Sequence, residues 1–218
     1  MTDALAYAKR HKVPVIAVDR SLTGVKACSD VAAQLGSDFI EEGRRAAQAM
    51  IKATNGTAKL GILFGTAGVN VTDDRTRGFV DEIVENAPGI EIVDQRTARF
   101  DRDMGETVFA DMLRAHPDLD ALYAENDEMG VGALRVLKRT GRAGRDKTRV
   151  VTIDGTRDGV QAIIDGYFSA VIECNPRYGA PAFDALEAFF AEGAPAVTFT
   201  TDRAYDPSNA AARLAQSY

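Results

Sequence analysis

The sequence predicts an α/β fold organised around a parallel sheet. Two observations carry the expectation. Short apolar runs alternate along the whole chain with amphipathic stretches of roughly ten to fifteen residues, the rhythm of βαβ units. The junctions carry turn and stop signals such as "NAPG", "HPDLD" and the glycines Gly141 and Gly166.

The elements follow in order. Residues 4–11 read as the end of a helix. Residues 13–18 form a buried strand, with Pro14 at its start where a missing N–H is tolerated. Residues 31–35 are a second extended run. Asp38 then caps a helix to residue 53, with Ile40, Ala47 and Ile51 on its apolar face. Residues 59–64 are a strand, 65–72 a loop and 73–86 a helix. A strand over 90–97 leads to a helix that Asp101 caps and that runs to 115. Strand 121–124, helix 127–140, strand 149–153, helix 156–165 and strand 168–173 continue the alternation. Helix 178–191 and strand 197–200 precede an irregular tail.

The 218 residues are 45% hydrophobic and 27% charged, ordinary proportions for a globular protein with a substantial core. The net charge of -6 argues against a nucleic-acid partner, which normally meets a basic face. No apolar run is long enough to cross a bilayer, and the opening "MTDALAYAKRHK" lacks the charged-then-apolar pattern of a signal peptide. His11 and His116 stand apart, and neither Cys28 nor Cys174 lies in a CxxC. Two cysteines this distant are more often unpaired than bridged. No metal-ligand cluster or cofactor motif is expected.

Ligands of open α/β sheets bind beyond the carboxyl ends of the strands. The residues that follow each apolar run are therefore the candidates. Asp19 and Arg20 come first. Asp73, Asp74 and Arg75 follow the Gly65 loop. Then come Arg99, Phe100 and Asp101, then Glu125, Asn126 and Asp127, then Asp154, then Glu173, Cys174 and Asn175. Such groups suit a polyhydroxylated ligand: Asp accepts from hydroxyls, Arg donates in a fork and Asn does both. An aromatic ring such as Phe100 covers the C–H face of a sugar.

Each residue taken singly has an ordinary role as well. Asp101 and Asp127 suit helix caps, Asp154 with Gly155 a turn, Arg75 a solvated helix position and Phe100 the core. The Asp19–Arg20 pair directly after a buried strand needs partners or a polar cleft. The signal lies in the set at one sheet edge. "GTAGVN" suits an anion only weakly, since it lacks the Lys-Ser/Thr of a P-loop. Asp73 and Asp74 could suggest paired carboxylates for acid–base work, but at a helix start they are more simply favourable charges near the dipole. No GxSxG, HExxH or GxGxxG follows a strand, so no catalytic residue is expected.

These residues sit in stretches that resemble a known family. "VPVIAVDRS", "SDFIEEGRRAAQAM", "GILFGTAGVNVTDDRTRGFVDEI", "ARFDRDMGETVFADMLRAHPDLDALYAENDEMGVGALRVLK", "VVTIDGTRDGVQAIIDGYFSAVIECNP" and "GAPAFDALEAF" run in the order seen in sugar-binding periplasmic proteins of the ribose and galactofuranose type. The resemblance implies a type I periplasmic-binding-protein fold with doubly wound parallel sheets in two lobes. It implies a monosaccharide held in the interlobe cleft, an ABC-transporter permease as partner, a periplasmic or extracytoplasmic location and no enzymatic activity. It assigns Asp19 and Arg20 to the N-terminal lobe's ligand contacts. Arg75, Phe100, Asn126, Asp154 and Cys174 fall to the C-terminal lobe. Cys174 stands where ribose-type members carry Gln, so Glu173 or Asn175 is expected to share that contact.

The resemblance divides the chain into a partial N-terminal lobe (residues 1–37 and 175–200), a complete C-terminal lobe (38–174) and a tail (201–218) returning toward the latter. It implies that strands and helices preceding residue 1 in other members are missing, with weak ligand binding and homo-oligomer formation through the incomplete lobe as consequences. The alternative is the effector domain of a LacI-type transcription regulator, which shares the fold and would need a helix-turn-helix upstream.

Overall fold

The computed structural model describes residues 2–20, 30–191 and 197–218. The chain divides into two units, Met1–Asp38 with Asn175–Thr201, and Phe39–Cys174 with Asp202–Tyr218.

The larger unit is a doubly wound sheet. Its strands are β3 (Thr57–Phe64), β4 (Gly89–Thr97), β5 (Ala121–Ala124), β6 (Arg149–Asp154), β7 (Ala170–Glu173) and β9 (Ala204–Tyr205), in the order β4-β3-β5-β6-β7-β9. All pairings are parallel except β7 with β9. Between the strands run helices α2 (Phe39–Thr54), α3 (Asn70–Asn86), α4 (Arg102–Ala115), α5 (Asp127–Arg139) and α6 (Arg157–Ile164). Side chains alternate across the sheet, as the two-residue period of a strand dictates. Leu60 and Ile62 of β3, Tyr123 of β5 and Val151 of β6 pack toward α2 and α3. Leu63, Leu122 and Val150 pack with Phe109 and Met112 of α4 and Met129 of α5. Both faces are thereby buried, which is why these strands read as continuous apolar runs.

Local signals account for the helix starts. Asp101 accepts from the Met104 N–H at 2.8 Å and caps α4. Asn126 caps α5, and Thr156 caps α6. Asp127 is therefore the first helical residue instead of the cap. Helix α3 starts at Asn70, three residues before its sequence-based start, because Gly68 at φ +79° is the last chain-reversing residue before it. The tail is ordered where an irregular segment was expected. Strand β9 is too short to show a period and exists because it pairs with the β7 edge. The next helix, α8 (Ala210–Arg213), buries Ala210 in the core. Ile40 is 40% exposed, and the buried stripe of α2 runs through Phe39, Gly43, Ala46, Ala47 and Met50.

The smaller unit holds three parallel strands, β1 (Ile16–Val18), β2 (Ala33–Gly36) and β8 (Val197–Phe199), in the order β1-β2-β8. Helix α1 (Thr2–Arg10) precedes them, and α7 (Gly179–Ala191) packs on them. The buried cluster consists of Ala33, Leu35 and Ala185, flanked by Ile16, Tyr178 and Ala182. Eight of the twelve exposed large hydrophobic side chains among the described residues belong to this unit, Phe183, Phe190 and Phe199 among them. Cys28 lies outside the described residues; Cys174 forms no disulfide among them.

Helices α2 and α3 meet backbone to backbone. A Cβ at Gly43 would run into the Arg75 carbonyl oxygen, and one at Gly78 into that of Ile40. We expect Gly78→Ala to wedge the helices apart and lower the unfolding free energy by about 1–3 kcal/mol, as overpacking does. Urea denaturation of the variant beside the parent chain measures it.

Candidate functional site

The carboxyl ends of β3, β5, β6 and β7 lie along one edge of the larger unit, and the sheet order reverses at β3, between β4 and β5. Crevices at such reversal points are where open α/β sheets bind ligands. Here the edge is organised around Arg75 of α3, whose side chain is 3% exposed. Its Nε donates to Glu42 Oε2 at 2.8 Å, one Nη to the Glu125 carbonyl oxygen at 2.6 Å, and the other to Asp154 Oδ1 at 3.4 Å. The Phe39 ring lies 5.6 Å from the guanidinium. A solvated helix residue was the ordinary expectation for Arg75; the structure buries it in a rigid fork. The close crossing of α2 and α3 makes this feasible, because it sets Glu42 against Arg75.

The neighbours continue the network. Asn126, one residue past Glu125, donates from Nδ2 to the Phe100 carbonyl oxygen at 3.3 Å while its Oδ1 caps α5. The Asp154 carbonyl oxygen accepts from the Cys174 N–H at 2.8 Å. Arg75, Asp154 and Cys174 are thus joined by hydrogen bonds, and the Asn126–Phe100 pair adjoins them through Glu125, whose carbonyl oxygen Arg75 holds. Asp154 keeps 21% of its side chain exposed. The Phe100 ring lies over Gly65, where any side chain would collide with it.

Asp19 and Arg20 belong to the smaller unit, at the carboxyl end of β1. They pair with each other at 3.8 Å, both about half exposed. The Asp19 N–H donates to the Leu35 carbonyl oxygen at 2.8 Å.

Four candidates also hold unusual backbone, Arg99 at φ +54° among them. Asp19 has φ +68°, Phe100 +61° and Asp154 +133°, all in territory that favours glycine. Such conformations cost on the order of 1–3 kcal/mol each and cluster at functional sites.

Of the buried carboxylates that support the edge, the sequence offered Glu125 and Asp127 as strand-end candidates but not Glu42. Glu42 is 1% exposed; its signal was an acid falling on the apolar stripe between Phe39 and Ala46. Glu125 accepts from the Gly65 N–H at 2.8 Å and from the Thr76 hydroxyl at 2.5 Å, closing the reversal point. Asp127 ties the β6–α6 turn, accepting from the Gly155 N–H at 3.0 Å and from the N–H and hydroxyl of Thr156 at 2.7 and 2.8 Å. Burial lifts Glu42 to about 7 against the pull of Arg75, with the Cys174 thiol bonding to it. Burial likewise lifts Glu125 to about 7. Asp127 reaches about 7 through burial and the charge of Asp154. Among the described residues no His, Cys, Asp and Glu cluster is arranged to hold a metal ion, and no helix is long and apolar enough to cross a membrane.

The model of the periplasmic binding protein domain matches residues 1–194. The chain belongs to that family. It is 34% identical over 217 residues to the galactofuranose-binding protein YtfQ of Escherichia coli, covering 96% of this chain and 67% of the relative. It is 36% identical over 170 residues to the ribose import binding protein RbsB of Salmonella typhimurium, covering 78% and 54% respectively. The chain therefore spans about half to two thirds of the length of these curated relatives. Among solved structures, the periplasmic component of the arabinose ABC transporter from Shewanella sp. ANA-3, bound to α- and β-L-arabinofuranose, matches with a TM-score of 0.91 at 34% identity. That match covers 98% of this chain and 72% of the other. A galactofuranose binding protein gives a TM-score of 0.90 at 31% identity, covering 99% and 74%.

Two outcomes are expected of the buried network. Glu42 and Glu125 are raised from 4.5 to about 7 in the folded state, so folding holds protons that the unfolded chain releases. Their contribution is fully present below about 4.5 and lost as pH rises through about 7. The unfolding free energy should fall between pH 5 and 8, and Glu125→Gln should flatten that slope. Arg75→Met should cost about 3–5 kcal/mol at pH 8, the penalty for stranding a buried charge, and less at pH 5.5, where Glu42 takes up a proton. Denaturant titrations across pH measure both.

Proposed function

We propose that the chain is a monosaccharide-binding component of an ABC sugar importer, acting outside the cytoplasm with a membrane permease as partner and carrying no catalytic activity. The observation that carries this reading is the joined set at the strand ends of the larger unit. It combines a fixed cation, a partly exposed carboxylate, an amide and an aromatic ring, which is the chemistry of sugar hydroxyls and C–H faces. Asp154 is assigned to accept sugar hydroxyls, with Arg75 holding it in place. Phe100, Asn126 and Cys174 complete the edge. Asp19 and Arg20 offer the same donor and acceptor chemistry in the smaller unit, and we assign them to the ligand too. In this reading, residues 38–174 form the sugar-binding lobe, residues 1–37 and 175–200 the other lobe, and 201–218 the returning tail. The regulator alternative gains no support, because the named relatives are import and solute binding proteins.

Isothermal titration against a panel of pentoses and hexoses tests the proposal. A saturable heat with at least one sugar is expected, weakened tenfold or more by Asp154→Ala. Silence from every sugar up to about 10 mM, where binding is worth under about 3 kcal/mol, overturns it.

The smaller unit supports a second proposal, self-association with another copy of the chain. Its exposed phenylalanines and its outer strands β1 and β8, each paired on one side only among the described residues, offer apolar surface and open edges. Sedimentation velocity over a concentration series should show dimers or larger species that Phe183→Ser with Phe190→Ser disperses. A clean monomer throughout rejects it.

A further inference from the structure

The tail segment places an aromatic ring at the same strand-end edge. Tyr205 of β9 is fully buried, Ala210 of α8 lies in the core, and Leu214 packs against it, so the segment is anchored on the larger unit. Its far end is then tied to the β6–α6 turn. The Arg157 N–H donates to the Tyr218 carbonyl oxygen at 2.7 Å, and the Tyr218 N–H to the Gly155 carbonyl oxygen at 3.4 Å. The Tyr218 hydroxyl reaches the end of β7 and donates to the Cys174 carbonyl oxygen at 3.4 Å. Burial and the nearby charges of Asp154, Cys174 and Asp127 push that hydroxyl's pKa upward, so it remains a donor. The side chain is held at both ends, yet the residue is 45% exposed.

We propose that Tyr218 is a specificity-determining residue of the site, its exposed ring covering the C–H face of a sugar whose hydroxyls Asp154 accepts. The inference rests on the sugar-binding reading above and adds a contact from a segment remote in sequence from the strand ends. With the hydroxyl already spent on Cys174, the ring is the part offered to ligand. A ring fixed in advance loses little freedom on binding, which favours its use as a contact surface. Asp154 beside it supplies the polar complement, so the pair matches the amphipathic outline of a monosaccharide.

The test uses the full chain and L-arabinose, the sugar whose furanose form the arabinose-transporter relative binds. Tyr218→Ala is expected to weaken binding about tenfold in isothermal titration, and Tyr218→Phe to stay within about twofold of the parent chain. The chain contains no tryptophan, so Tyr218→Trp introduces a single emitter at the proposed contact. Its fluorescence should shift saturably with arabinose at the affinity that calorimetry gives. An unmoved emission at saturation, or a Tyr218→Ala chain that binds like the parent, overturns the inference even if sugar binding stands. No binding of any sugar by the parent chain overturns the sugar-binding reading, and this inference with it.

Discussion

The larger unit depends on a buried cation. Arg75 is sealed from water and held by a carboxylate from α2, a carbonyl oxygen at the end of β5 and the carboxylate at the end of β6. A charge in that position is tolerable only if its partners are fixed. The requirement reaches outward: α2 must lie against α3, the end of β5 must present a carbonyl oxygen, and Asp154 must turn toward α3. The close crossing at Gly43 and Gly78 meets the first condition. Glu125 fastens the β5 end to Gly65 and Thr76. Asp127 fastens the turn after Asp154.

The two units use the same elements to different effect. In the larger, both sheet faces are covered and the polar groups collect at one edge. In the smaller, the described strands and helices bury Leu5, Ala17, Val31 and Ala32 besides the cluster of Ala33, Leu35 and Ala185, and aromatic side chains face outward. Two covered faces give the strand ends of the larger unit a rigid base, which a site made of many weak polar contacts needs.

The alternation of strands and helices was legible in the sequence because the central strands β5, β6 and β7 are buried on both sides and the helices between them on one. The cap at Asp101 was legible because capping chemistry is local. What escaped depends on residues far apart. Nothing near Arg75 says that it is buried; that follows from Glu42, 33 positions earlier. Glu42 itself was masked by the amphipathic pattern of α2. Strand β9 and the placement of Tyr218 come from pairing with β7 and contacts at Gly155, so no window of the sequence contains the cause. The strand-end rule draws on topology, and among the residues it named Arg75 bonds to Asp154, Asp154 to Cys174 and Asn126 to the Phe100 carbonyl oxygen.

Asp19, Phe100 and Asp154 occupy backbone conformations in which glycine would be more at ease. At most positions side chain and backbone serve the same end, and removing the side chain harms both. At these three the two are in opposition. A glycine there would delete the side chain while relieving local strain, so folding and the ligand contact proposed for these residues become separable properties of the molecule. The chain keeps a carboxylate or a ring at these points against its own conformational preference.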